Sequence, residues 1–452
     1  MVSPGAPWLR PGDWFIDMFT SEAEKLLESL KARQAGRSLQ SVDTYWWVPG
    51  LPEDGDADRP VAAVDGGGGF QPLAMGWSLY IARAYGYVEG GEPERGLELR
   101  LYPVRDTRVL DSLRSWLEHR IAVRLVHRLP PGSILLMDGS LWTTITSAFR
   151  SIARLASSSI SGIGGVYTAL HSSYLLAEVA TLCRTAAERG VRLAYVSKDH
   201  GFRALKEKVL LEMVASKAKP LAQLVSRALD YYPLAMREQL LSARRLVPRE
   251  LRGLYDAALD PSYRDPAFLA DTAGFSVGYT WPLRLPPPHQ LHSRLRRGGL
   301  RGLLEAAAEK AYVLLGDEPE ASEFRSLAER LPELLDQLPG VSMVYVRLAP
   351  GDQPLLVEIP GPSGSYYSTG RVLVEPDAAV EEVLAALRRG YGDPDYYNIP
   401  LIAAHLNATI TGRQMEEYMG LLESLALAQG VGLRFTRRYS ISRRFRRRFG
   451  RL

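Results

Sequence analysis

Two stretches of the chain share one pattern, a short run of consecutive apolar residues that stops at Asp-Gly. They are Val61-Ala62-Ala63-Val64-Asp65-Gly66 and Ile134-Leu135-Leu136-Met137-Asp138-Gly139. An apolar run without polar alternation, bounded by a turn signal, suits a strand buried on both faces of a sheet. Glycine after each aspartate predicts a sharp turn and keeps side chains clear of the carboxylate. Segments 76–88 and 97–104, rich in Tyr, Leu, Ile and Val, predict a hairpin continuing from the first strand. Val109, Leu110, Leu113, Leu117, Ile121 and Leu125 recur at spacings of three and four, which predicts a helix over 106–128 with Glu118 at the edge of its apolar stripe. After the second Asp-bearing strand come a Ser/Gly-rich loop at 157–165, a helix over 167–189, a strand over 191–197 and a helix over 202–215.

This order of three strands and a helix, then strand, helix, strand, helix, is similar to the ribonuclease-H-like fold. The expected class is therefore α/β, a ribonuclease-H-like mixed sheet flanked by helices, with a largely helical insertion. The expected organisation is an N-terminal helical and aromatic extension (1–60), a first core segment (61–215), the insertion (216–340), a second core segment (341–436) and an Arg-rich tail (437–452). Within these, helices are expected at 21–34, 221–229, 233–246, 300–315, 320–338, 377–389 and 411–429. Strands are expected at 275–285, 341–348, 354–359 and 432–436. Asn398 and Pro400 form an N-cap and first-turn signal for a further helix that carries His405 beside Ala403-Ala404.

Composition narrows the class without naming a chemistry. A chain of 452 residues with 46% hydrophobic and 23% charged residues is an ordinary globular protein of several domains or one large one. No apolar run approaches the ~20 residues of a membrane span. Residues 1–17 lack a basic segment followed by an apolar core, and the expected compartment is the reducing cytoplasm. The single cysteine, Cys183, excludes an internal disulfide and a multi-cysteine zinc site. Net charge is only +4, but residues 434–452 hold nine arginines and no acid, interleaved with Phe435, Tyr439, Phe445 and Phe449. Arginine with interleaved aromatics suits phosphate contact and base stacking, so Arg437, Arg438, Arg443 and Arg444 are candidate DNA contacts. A second basic cluster runs through Arg294, Arg296, Arg297 and Arg301.

The candidate chemistry lies at the strand ends. If the two Asp-bearing strands are neighbours, Asp65 and Asp138 meet at one sheet end. Two close carboxylates repel unless a cation lies between them, which makes a divalent metal site the leading reading. Hard ions such as manganese or magnesium take oxygen ligands, and a neutral imidazole at His405 can ligate manganese or move a proton. Glu118 falls on the first helix, four residues from Arg114, with which it can also simply pair. Lys198 ends a strand and can hold a phosphate as a point charge. Tyr397 stands at the start of the His405 helix.

Taken together, Ala63-Val64-Asp65-Gly66, Leu136-Met137-Asp138-Gly139-Ser140-Leu141, Ser197-Lys198-Asp199 and Tyr397-Asn398-Ile399-Pro400 with Ala404-His405 resemble the NurA nuclease family of archaea and some bacteria. The resemblance implies metal-binding acids at Asp65, Glu118 and Asp138, with Tyr397 and His405 completing the site. It implies a manganese-dependent nuclease that acts as a 5′–3′ exonuclease and single-strand endonuclease in double-strand-break end resection. It also implies a homodimer docked on the hexameric DNA translocase HerA. The corresponding mechanism is two-metal phosphodiester hydrolysis, with Asp65 bridging the ions and Glu118 and Asp138 flanking them. Three departures stand out: four glycines follow Asp65 where the family commonly has Asp-Gly-Ser, the middle insertion is long, and the arginine tail is unusually dense. Two other classes stay open, a DNA-binding clamp without catalysis and an actin-like ATPase whose glycines would cradle nucleotide phosphates.

Overall fold

The structure, a computed structural model, describes residues 16–35, 42–53, 59–73, 76–157, 162–198, 200–231, 236–287, 289–366 and 370–433. Arg437, Arg438, Arg443 and Arg444, like Asp199, lie outside the described residues. In chain order the first half comprises α1 (Ile16–Ala35), β1 (Trp47–Pro49), β2 (Val61–Pro72), β3 (Ser78–Val88), β4 (Glu94–Tyr102), α2 (Thr107–Arg128), β5 (Ile134–Asp138), α3 (Leu141–Ser157), α4 (Ile163–Glu188), β6 (Arg192–Ser197) and α5 (Ala204–Lys217). There follow α6 (Ala222–Tyr231), α7 (Arg237–Ala243), α8 (Arg252–Leu259), α9 (Asp265–Thr272), β7 (Gly278–Thr280), β8 (Leu283–Leu285), α10 (His289–Leu315) and α11 (Pro319–Leu335). The chain closes with β9 (Val341–Arg347), β10 (Leu355–Pro360), β11 (Val372–Leu373), α12 (Ala378–Arg389), α13 (Ile399–Ala408) and α14 (Gly412–Ala428).

The strands form one mixed sheet of order β1-β7-β9-β10-β6-β5-β2-β3-β4, with β8 and β11 joined at β9. Strands β2, β5 and β6 are parallel, while β3, β4, β9 and β10 run antiparallel to their neighbours. This is the α/β, ribonuclease-H-like mixed sheet flanked by helices. One face packs on α2, α3, α4, α10 and α11, with Leu113, Leu117, Ile121, Leu135, Phe149 and Phe324 in the core. The opposite face is covered by α12 and α13 over Ala63, Leu136, Val344 and Val357. A third core gathers α5 through α9 around Leu205, Tyr255, Phe268 and Tyr345. Among the described residues no helix is long and apolar enough to cross a membrane.

The insertion is mainly helical, yet it is sewn into the same sheet, because β7 and β8 both pair with β9. The expected single strand at 275–285 is split there: Pro282 has no N–H to donate, and pairing resumes at Leu283. Two further expectations are corrected. Residues 141–157, for which the apolar pattern predicts no element, form α3, so that two helices join β5 to β6. Its Thr- and Ser-rich sequence has poor helix propensity, and burial of Leu141, Ile145, Phe149 and Ile152 overrides that. The turn expected after Asp65 is absent as well. The strand runs straight through Gly66–Gly69 to Pro72, paired residue by residue with β3. Residues 432 and 433 carry no strand, and 434–436 lie outside the described residues.

The glycine run is a strand because helices press on both of its faces. A β-carbon on Gly66 would lie 2.5 Å from Glu118 Oε1, and one on Gly68 would lie 2.9 Å from Leu110 Cδ1. Both contacts come from α2. On the other face, a β-carbon on Gly67 would lie 2.0 Å from the Ala408 carbonyl oxygen of α13, and one on Gly69 would lie 2.3 Å from Met415 Cε of α14. Glycine is thus required for close approach, not for a turn.

Candidate active site

Parallel pairing sets the centre of the site. Val64 of β2 is in register with Met137 of β5, so Asp65 and Asp138 occupy the next positions on adjacent strands. Strand spacing of ~4.8 Å makes them neighbours. The alternation of side chains sends both towards α13, on the same face as Ala63 and Leu136. Beyond Asp138 the chain turns at Gly139, whose φ of 106° is readily adopted by glycine alone.

Helix α13 delivers the third group. Asn398 caps it by accepting a hydrogen bond from the Leu401 N–H at 3.2 Å, and Pro400 sits in its first turn. Ala404 and Ala408 are fully buried and let the helix lie close on β2. His405, half-exposed, points its Nδ1 at Asp65 Oδ2, 2.6 Å away. Arg83 of β3, opposite Gly67 in the ladder, reaches across that glycine. It donates to the Ala408 carbonyl at 2.7 Å and to that of Thr409, so it ties down the carbonyl end of α13.

Asp65, Asp138 and His405 each offer a ligand atom within 4.8 Å of the others. Two carboxylates and an imidazole in one cleft are a hard-oxygen and nitrogen donor set suited to manganese or magnesium. The electrostatics point the same way. The Asp138 carboxyl is raised above its ordinary value by burial and then by the charge of Asp65, against the pull of Lys198, His405 and Arg114.

Glu118 stands apart from that trio. It approaches from α2, on the other face of the sheet, and enters through the space that Gly66 leaves open. Burial, reinforced by Asp65 and Asp138 but opposed by Arg114, lifts its carboxyl to about 8. Arg114 Nε lies 3.8 Å from Glu118 Oε1, the pairing that spacing alone allows. Burial is the main cause of that rise, and added positive charge beside the carboxyl would lower it. Tyr397 points its hydroxyl at Asp138 Oδ1 over 3.5 Å, and Lys198 lies over the Tyr397 ring with its Nζ 5.1 Å from the centroid. Burial, followed by the charges of Asp138 and Asp65, raises the Tyr397 phenol, which stays a donor.

Two residues near the site escaped the sequence reading. Glu358 of β10 is fully buried and accepts from Ser140 Oγ and from the Trp142 N–H, each at 2.9 Å. It holds the turn after Asp138 and the start of α3. Arg83 is the other. Both are charged residues inside apolar strands, Leu356-Val357-Glu358-Ile359 and Ile81-Ala82-Arg83-Ala84, and that interruption is the signal that could have revealed them.

Residues 59–410, from just before β2 to just after α13, match the family model of the NurA domain. The chain belongs to the NurA family. The NurA domain so defined contains every element that brings Asp65, Glu118, Asp138, Tyr397 and His405 together. The crystal structure of the NurA nuclease from Sulfolobus solfataricus is similar in fold, with a TM-score of 0.50 at 15% sequence identity over 92% of this chain and 98% of that one. No curated protein matches the chain significantly.

Proposed function

We propose that the chain is a metal-dependent deoxyribonuclease that hydrolyses phosphodiester bonds at the Asp65–Asp138–His405 cluster. The observation that carries this reading is the meeting of those three ligand groups at the sheet end of a NurA-family chain. Asp65 and Asp138 would hold the divalent ion, manganese or magnesium, with His405 at its side and Glu118 as a further acid once positive charge arrives. Such an ion supplies Lewis-acid polarisation of the phosphate and an activated water.

The remaining work falls to the chain's own groups. His405, half-exposed and with Thr409 Oγ1 3.4 Å from its Nε2, can take or give a proton at the reacting oxygens. The Tyr397 hydroxyl orients Asp138 or a substrate oxygen. Lys198 offers a cation to a non-bridging phosphate oxygen, at the end of the strand beside that of Asp138. The glycine run does not make the open phosphate cradle that an ATPase would need, because it is laddered to β3 and covered on both faces. Action from 5′ ends and on single strands, homodimerisation and docking on a HerA-type translocase in end resection are part of the same proposal, by family resemblance.

The test is cleavage of a labelled DNA by the purified chain with manganese, magnesium or EDTA, beside Asp65→Asn. Metal-dependent cutting that disappears in the variant, with DNA binding kept, is the expected result. Cutting that persists in Asp65→Asn or in EDTA would refute the reading.

A further inference from the structure

Behind the turn that follows Asp138 lies a cavity of about 300 Å³ between the start of α3, the start of α5 and the segment after β8. That is the lower end of the size range of small-molecule sites. Its walls combine two kinds of group. Trp142 and Phe202 provide aromatic surface, their ring centroids 5.6 Å apart at 70°. Arg150, Arg203 and Arg371 provide positive charge against one acid, Glu207, which leaves a net charge of +2. Arg371 is bound to Glu207 at 2.8 Å and Arg203 lies 3.8 Å from it, so Glu207 is shared. Arg150 is exposed and makes no ion pair with the described residues. Thr146, 5% exposed, is a wall residue of the cavity, and its buried hydroxyl has no hydrogen-bond partner. An orphaned hydroxyl in the wall of a cavity lined by guanidinium groups suits an anionic oxygen.

The cavity lies close to the candidate active site along two separate paths. Trp142 is four residues after Asp138 and Gly201 three after Lys198, spans of at most ~15 Å and ~11 Å of extended chain. Resting on the nuclease reading above, we propose that this cavity is a subsite for one nucleotide of a single DNA strand whose neighbouring phosphate lies at the aspartates. Its phosphate would sit against Arg150, Arg203 and the Thr146 hydroxyl, and its base against Trp142 and Phe202. Aromatic stacking beside guanidinium groups is how proteins hold single strands without reading sequence.

The experiment is equilibrium binding in EDTA, so that no strand is cut, of a labelled short oligothymidylate, with thymidine monophosphate as a competitor. Wild type is compared with Arg150→Glu, an exposed change, and with Thr146→Val, which keeps shape and removes the hydroxyl. Each should weaken strand binding about tenfold or more, the worth of one hydrogen bond to a charged group, with unfolding midpoints unchanged. Unaltered binding by both variants would overturn the subsite. Tight binding of the monophosphate with no gain from the longer strand would overturn its assignment to a strand and indicate a site for free nucleotide. Metal-dependent cleavage by wild type and its loss in Asp65→Asn are scored separately, so failure of the nuclease reading leaves a different signature.

Discussion

A methyl group added at Gly67 tests how tightly the site is assembled. In Gly67→Ala the new carbon would stand 2.0 Å from the Ala408 carbonyl oxygen, 2.7 Å from its carbon and 3.0 Å from Thr409 Cα, where ordinary contact begins at 3.4 Å. All three atoms are backbone, so no rotamer relieves the clash, and the last turn of α13 must withdraw by about 1.4 Å, the difference between 3.4 and 2.0 Å. His405 rides on the same helix, 2.6 Å from Asp65, and is carried out of hydrogen-bond reach. Overpacking costs ~1–3 kcal/mol, and the lower entropy of the unfolded alanine chain returns ~0.4–1 kcal/mol, for a net loss of ~1–2 kcal/mol. Displacement of a reacting group by ~1 Å lowers turnover about a hundredfold. The control is Gly69→Ala, on the same strand and face. Its methyl would lie 2.3 Å from Met415 Cε, the free end of a flexible side chain that can swing away. Denaturant unfolding and manganese-dependent DNA cleavage should therefore leave Gly69→Ala within ~0.5 kcal/mol of wild type and almost fully active. If Gly67→Ala is as stable and active as Gly69→Ala, the seating of α13 on the glycine run is refuted.

Gly66→Ala should act on the other face, pushing out the Glu118 carboxyl that lies 2.5 Å from the new carbon. It should lower cleavage as much as Glu118→Gln does while DNA binding persists; full activity beside an inactive Glu118→Gln would show that Glu118 does not enter through this gap. His119 and His171 are buried, and burial depresses them from 6.5 to about 4 and about 3 respectively. Below pH 6.5 the unfolded chain takes up protons that the folded chain refuses, so stability is full above that pH and falls as pH drops towards 4. The loss near pH 5 is about 2 kcal/mol per histidine. Unfolding midpoints at neutral and acid pH, compared between wild type and His171→Phe, check this; an equally steep fall in the variant would count against it.

The legible part of this protein was its apolar periodicity. Two unbroken apolar runs placed Asp65 and Asp138 on buried strands, and the stripe from Val109 to Leu125 placed Glu118 on the helix beside them. Asn398 and Pro400 announced the helix of His405 through local capping chemistry. What stayed hidden was set by contacts distant in sequence. The glycines after Asp65 read locally as a turn, because nothing nearby reveals that Glu118, Leu110, Ala408 and Met415 close in on them. Local spacing could not reveal that Glu118 crosses from the opposite face either. Arg83 and Glu358 act on backbone groups 325 and 216 residues away, respectively. The helix at 141–157 was readable from Leu141, Ile145, Phe149 and Ile152, but β-branched and hydroxyl residues masked its period.

The hydrogen bond between Asp65 and His405 also sets a clock, since it joins residues separated by 340 positions. At ~5–20 residues per second, a ribosome needs roughly 20–70 s to make the chain between them. Once Asp138 has been made, the nascent protein displays both aspartates without the histidine until residue 405 follows. Contacts of such long range form late and slowly. Cutting power, on the reading proposed above, is therefore withheld until the chain has been made and folded through His405, which spares the cell a half-built nuclease.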